Sequence, residues 1–221
     1  MPSTRSRLIA AAFELFAANG YEHTSVEDIA TRAGTGRTTF FRYFPSKDHV
    51  VFPDHDALLA RVEARLVTAT VETRQVALRE AARIVLDHYI AEGDIARVRY
   101  QLTRSVPALR DRELASVQRY VNLFRKHTVA WLADEPDGTL RAELLASAVI
   151  VAHNHVLRAW LRSEVGDPAG AFDDAMAQAL TTGTARRSAG RTVVVHVSDL
   201  DVEDVVAEVR RALAGDDALT L

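Results

Sequence analysis

Tyr21-Glu-His-Thr24-Ser25-Val26-Glu-Asp28-Ile29-Ala30-Thr-Arg-Ala33-Gly34-Thr-Gly36-Arg37-Thr38-Thr39-Phe40-Phe41-Arg42-Tyr43-Phe44-Pro45-Ser46-Lys47 is the stretch that decides the fold. Ser25 can cap a helix, and Asp28 stands three residues on, as a capping box requires. That helix stops at Gly34. The next begins at Gly36 or Arg37 and ends before Phe44-Pro45, where proline's fixed backbone cannot continue a helix. A turn of about three residues rich in glycine lets two short helices cross steeply, in the proportions of a helix-turn-helix. Just upstream, Arg5 to Asn19 reads as a first helix. Leu8, Ala11, Ala12, Leu15 and Phe16 form one apolar stripe there, and Gly20 sits where a C′ residue belongs.

On the third helix the phenylalanines Phe40, Phe44 and Phe41 are expected to face the first two helices. Arg37, Thr38, Thr39, Arg42 and Tyr43 are then left outside. Such donors suit phosphates and base edges: arginine bonds guanine bidentately, and threonine offers a hydroxyl and a methyl. The chain has 221 residues and a formal net charge of −3, so it is not basic throughout. Distribution matters more than the sum. From Ile29 through Lys47 lie Arg32, Arg37, Arg42 and Lys47 and no acid. It is the one basic window that coincides with compact helical structure.

Residues 5–51 resemble the N-terminal domain of the TetR family of regulators, above all in Tyr21-x-x-Thr24-Ser25-Val26-x-Asp28-Ile29-Ala30-x-x-Ala33-Gly34 and Thr39-Phe40-Phe41-Arg42-Tyr43-Phe44-Pro45-Ser46-Lys47. The resemblance implies that Thr24 or Ser25 holds a phosphate, and that Arg37, Thr38 and Arg42 face base edges or neighbouring phosphates. It implies also that Thr39 and Tyr43 anchor the DNA backbone, and that Lys47 clamps a phosphate beside the amides opening a fourth helix. Gly36 departs from the pattern, standing where the family usually has serine or threonine. Glycine is a tolerable cap but offers no side-chain contact.

Downstream, helical period continues. Ser46 is positioned to cap a fourth helix, which Pro53 breaks or restarts at Asp54 and which runs on to about Thr70. Further helices are expected near Arg74–Glu92, Asp94–Ser105, Pro107–Ala133, Thr139–Glu164 and Pro168–Thr182. The fold class is all-α. Residues 1–50 form a helix-turn-helix domain and 51–183 a helical ligand-binding and dimerisation domain. Residues 184–221 form an extension with a β-branched strand at 192–197 and a helix at 202–214. That strand either pairs with its copy in a second subunit or lies against its own domain.

The resemblance further implies a homodimer whose last two long helices form a four-helix bundle. Leu144, Ala148, Val151, Ala152 and the segment His155 to Ala159 are candidates on one helix, with Phe172, Met176, Ala179 and Leu180 on the next. An effector cavity is expected among the middle helices. Polar or aromatic residues set in their apolar faces are Tyr89, Tyr100, Gln101, Phe124, His127, Trp131, His153 and Asn154.

Other chemistry finds no footing. With no cysteine there are no disulfides, thiolate metal sites or thiol nucleophiles. No run of eighteen apolar residues suggests a membrane span, and a cytoplasmic location is expected. Gly34-Thr-Gly36 follows no strand and lacks the third glycine of a nucleotide fingerprint. His153 and His155 are two apart on a helix and point to different faces, a poor metal pair. The acids from Asp199 to Asp204 lack a calcium-loop layout. No metal, cofactor or enzymatic activity is expected. The function expected is a ligand-responsive, sequence-specific DNA-binding transcriptional regulator, and the resemblance implies a repressor that a small molecule releases from its operator; the expected partners are an operator duplex, a second copy and a small effector. A helical carrier or interaction protein without DNA binding is the alternative.

Overall fold

The structure, a computed structural model, describes residues 2–184. The expected strand at 192–197 and helix at 202–214 lie outside the described residues. Within them the chain forms α1 (Thr4–Asn19), α2 (Val26–Arg32), α3 (Arg37–Tyr43), α4 (Lys47–Val51), α5 (His55–Val67), α6 (Arg74–Glu92), α7 (Asp94–Ser105), α8 (Pro107–Leu132), α9 (Gly138–Leu161) and α10 (Pro168–Thr184). No strand occurs among the described residues. The helices sit within a few residues of the spans expected from hydrophobic period and from the Gly and Pro punctuation.

Two compact units result among the described residues, one of residues up to Ala60 with Asp87–Gln118, the other of Arg61–Leu86 with residues 119–184. In the first, Ser3 caps α1 by accepting the Ser6 amide at 3.1 Å. The predicted capping box of α2 is complete: Ser25 Oγ accepts the Asp28 amide at 3.1 Å, and Asp28 accepts the Ser25 amide at 2.9 Å. Gly34 then takes φ +66°, a left-handed conformation that a β-carbon disfavours. There the Gly34 amide reaches Thr31 O at 3.0 Å and the Thr35 amide reaches Ala30 O at 2.9 Å, closing the carbonyl end of α2. Leu8, Ala12, Phe16, Ile29, Phe40 and Phe44 interlock beneath the elbow. Complete burial of one such side chain stabilises by roughly 1.5–3 kcal/mol. The same core takes in Leu102 of α7 and Leu109 of α8.

Ser46 stands at the start of α4, but its hydroxyl pairs with His49 Nδ1 at 2.8 Å and caps no amide. Pro53 does break the helix, and Asp54 restarts it by accepting the Ala57 amide at 3.0 Å. On α7, the Arg99 guanidinium is 3% exposed and lies over the rings of Phe13 and Tyr89.

In the second unit α9 packs along α10, with Phe172 and Met176 fully buried. Thr128 ties α8 to α9 by donating to Ala142 O at 3.0 Å. Glu135 joins Arg74 at 2.9 Å and Arg141 at 2.5 Å. Where α8 turns into α9, a β-carbon on Gly138 would come within 1.8 Å of Leu132 O, so the turn admits glycine alone. By length and composition α9 could cross a membrane, but half of its most apolar stretch is buried inside the molecule.

Candidate nucleic-acid interface

The elbow at Gly34 directs one face of α3 inward and one to solvent. Phe40 is fully buried and Phe44 nearly so, while Arg37, Thr38, Arg42 and Tyr43 are exposed and Thr39 is half-buried. Arg42 lies over the Tyr43 ring, its guanidinium carbon 5.2 Å from the centroid. Glu14 could have intruded on this positive surface, but the exposed Arg32 side chain pairs with it.

Two expectations, for Phe41 and for Thr24, are corrected here. Phe41 does not turn inward; it is 43% exposed, with its ring edge-on to Phe40 at 5.6 Å. Phe40 and Phe44 are one turn apart and share a face, whereas Phe41 is rotated about 100° from Phe40. Thr24 does not present a hydroxyl to a phosphate. It is 1% exposed and donates to Gly20 O at 2.9 Å and Leu15 O at 3.3 Å, locking α1 to the loop before α2. Ser25 is exposed, yet its hydroxyl serves the capping box and donates to Asp28 at 2.6 Å. Those hydrogen bonds hold the Asp28 carboxyl below the usual carboxylate range. Lys47 is half-buried: Nζ donates to Tyr21 O at 2.8 Å and sits 4.0 Å from the Tyr21 ring centroid. The Tyr21 hydroxyl in turn donates to Asp48. Burial, reinforced by that hydrogen bond and the Asp48 charge, drives the Tyr21 phenol far upward, so it stays a neutral donor.

The eight candidates for an effector site are divided between the two units. Tyr89, Tyr100 and Gln101 belong to the first unit and the other five to the second. Tyr89 is buried beneath the Arg99 guanidinium, the Tyr100 hydroxyl accepts from Arg104 at 3.0 Å, and Gln101 is exposed to solvent. In the second unit Phe124 is fully buried, Asn154 is half-buried, and His127 leans on Trp131 at 5.8 Å. His153 is buried edge-on to Phe172 at 6.4 Å. One ring nitrogen donates to the Ala82 carbonyl; Nδ1 has no hydrogen-bond partner. Burial pulls its pKa down to about 4, so the imidazole is neutral and Nδ1 offers a lone pair.

Of the dimer candidates, Phe172, Met176 and Val156 are consumed in the chain's own packing. Leu144, Ala148 and Val151 are half-exposed and His155 is exposed. Their spacing of four, three and four puts them on a single face of α9.

A solvent-facing helix bearing arginine, threonine and tyrosine, set by a glycine elbow above a three-helix core, defines a helix-turn-helix DNA-binding domain. Residues 8–53 match the family model described as bacterial regulatory proteins, tetR family. It is 35% identical over 122 residues to the HTH-type transcriptional regulator TcmR of Streptomyces glaucescens, covering 53% of this chain and 52% of that protein. The chain thus spans about half the length of that curated relative. Among solved structures, a SmeT–triclosan complex is similar at TM-score 0.58 and 17% identity, over 88% of this chain and 100% of that one. FadR of Thermus thermophilus, described as a TetR-family transcriptional repressor in complex with lauroyl-CoA, is similar at TM-score 0.51 and 22% identity, over 86% and 100%.

Proposed function

We propose that this protein is a ligand-responsive, sequence-specific transcriptional repressor that binds its operator as a homodimer. The outward face of α3 carries the reading: Arg37, Thr38, Arg42 and Tyr43 stand exposed while Phe40 and Phe44 anchor the helix from beneath. Any surface helix is divided into an apolar and a polar face, but here the polar face carries guanidinium, hydroxyl and phenol donors and no acid, as a probe for the major groove requires. One seven-residue helix covers too little DNA for operator specificity, so two half-sites about one helical turn apart are required. The Leu144–Ala148–Val151–His155 face of α9 supports pairing with a second copy.

The effector reading draws support from His153, whose buried Nδ1 lacks a partner. An unmet buried acceptor costs about 1–3 kcal/mol, which a ligand's donor group recovers on binding. The triclosan and lauroyl-CoA complexes of similarly folded proteins agree with a small-molecule effector. Release from DNA needs only a state in which the two α3 helices no longer match the half-site spacing, with a coupling of ~1–3 kcal/mol.

The experiment is a gel shift of the full-length protein on the DNA flanking its own coding sequence. A salt-sensitive, sequence-selective complex is expected. Binding that is equal on scrambled DNA, or absent, overturns the proposal.

A further inference from the structure

Phe41 is an apolar ring held in water on the surface that meets DNA, and none of the contacts assigned above uses it. Its partner on that surface is Arg37, one helical turn earlier, with the guanidinium carbon 5.5 Å from the ring centroid. Both side chains therefore project from the same strip of α3.

We propose that Arg37 and Phe41 act as one reading unit. The guanidinium bonds O6 and N7 of a guanine, and the ring packs on the 5-methyl group of a thymine in the neighbouring base pair. This rests on the DNA-binding reading and deepens it, by assigning base preference to two named residues. The major groove wall is otherwise a pattern of polar donors and acceptors; the thymine methyl is its apolar feature. An exposed ring entering that groove loses its water without compensation unless it meets such a group. The spacing fits: neighbouring base pairs are about 3.4 Å apart along the helix axis, and 5.5 Å between the two side-chain centres does not span three pairs. Charge agrees, because Arg37 lies in the Ile29–Lys47 window that contains no acid. The Phe40 ring packed edge-on at 5.6 Å backs Phe41 and limits its rotation, so the contact carries little ordering cost.

The test begins with selection of duplexes from a random pool by the full-length protein. Each half-site of the selected sequence should contain a guanine beside a thymine. That thymine is then replaced by deoxyuridine, which deletes the methyl group and keeps every hydrogen bond. Wild type should lose about fourfold in affinity per half-site, as expected for one buried methyl-sized group. Phe41→Ala should bind the thymine and uracil duplexes alike, with its selected sequences no longer requiring thymine. Arg37→Ala should relax the guanine and retain the uracil penalty. Thermal unfolding of both variants serves as the folding control, since each change is at an exposed side chain.

Equal binding of both duplexes by wild type overturns the inference. So does a uracil penalty that persists in Phe41→Ala, or a Phe41→Ala loss that is uniform across sequences, which would mark packing on the sugar–phosphate backbone. If no duplex is selected at all, the DNA-binding reading fails and takes this inference with it. A selected duplex without the methyl effect overturns the inference alone.

Discussion

Arg99 donates from Nε to the carbonyl oxygen of Val51 at 2.5 Å, joining the middle of α7 to the last residue of α4. Its terminal nitrogens grip Glu92 at 2.5 and 2.8 Å. Burial alone would push the guanidinium's pKa down; the hydrogen bonds and charge of Glu92 more than reverse this, and it stays charged. Arg99→Met leaves the Glu92 carboxylate and the Val51 carbonyl without their partner. Loss of one side of such a pair costs about 3 kcal/mol, toward the lower end of the usual range because Glu92 is partly exposed. Urea unfolding measures it, and a loss under 1 kcal/mol would show that the clamp contributes little.

Arg42→Ala and Tyr43→Ala should each weaken operator binding while leaving thermal stability unchanged. Both side chains are exposed, and each stacks on the other and on nothing in the core. Loss of the Arg42 charge from a phosphate lowers the slope of log affinity against log salt by about one unit, whereas loss of the uncharged Tyr43 hydroxyl leaves the slope unchanged. Titrations at several salt concentrations, beside a melting curve, check both halves. Normal binding by both variants would mean that α3 is oriented wrongly.

Thr24 and Ser25 should separate as stability residues of different kinds. Thr24→Val removes a buried hydroxyl that satisfies two carbonyls and costs about 1–3 kcal/mol. Ser25→Ala removes the cap of α2 and costs about 1 kcal/mol. Neither should change the salt slope of DNA binding. Weaker operator binding by folded Ser25→Ala at every salt concentration would restore its hydroxyl as a phosphate contact.

His153 sets a pH dependence. Its folded pKa of about 4 lies below the unfolded value near 6.5. Stability from keeping this ring neutral is therefore whole above pH 6.5, and is lost as pH falls through about 4. The loss attributable to this residue is about 3 kcal/mol. His153→Leu lacks this titration, so the wild-type-minus-variant difference in stability should fall steadily as pH drops through that window, measured by urea unfolding at pH 7.5, 5.5 and 4.5. Parallel curves for the two proteins would place the titrating group elsewhere.

Helix boundaries were legible wherever a single residue type decides them. Gly20, Gly34, Pro53, Gly93 and Pro107 all fall where a helix stops or starts. The capping box was legible too, since Ser25 and Asp28 need only their spacing. Side-chain direction at the edge of an element was not. Phe41 follows Phe40 on a seven-residue helix, too short for period to say which neighbour turns in. Thr24 lies just before α2, where a hydroxyl can go out to a ligand or back to a carbonyl with equal local chemistry. Lys47 stops at the Tyr21 carbonyl, a partner twenty-six residues earlier that no local pattern reveals. The effector candidates were named from apolar helix faces, which show that a residue is covered without showing by what.

The bend between α2 and α3 is made almost wholly of backbone: a left-handed glycine and two amides returned to carbonyls one turn back. A bend of that kind has little side chain to repack, the Thr35 hydroxyl being already bonded to the Ala30 carbonyl, and few torsions left to freeze. The reading head reaches DNA already shaped, as a cut key does rather than wax pressed into the lock. Affinity differences between one duplex and another then report what α3 touches, undiluted by a variable cost of folding the protein onto its site.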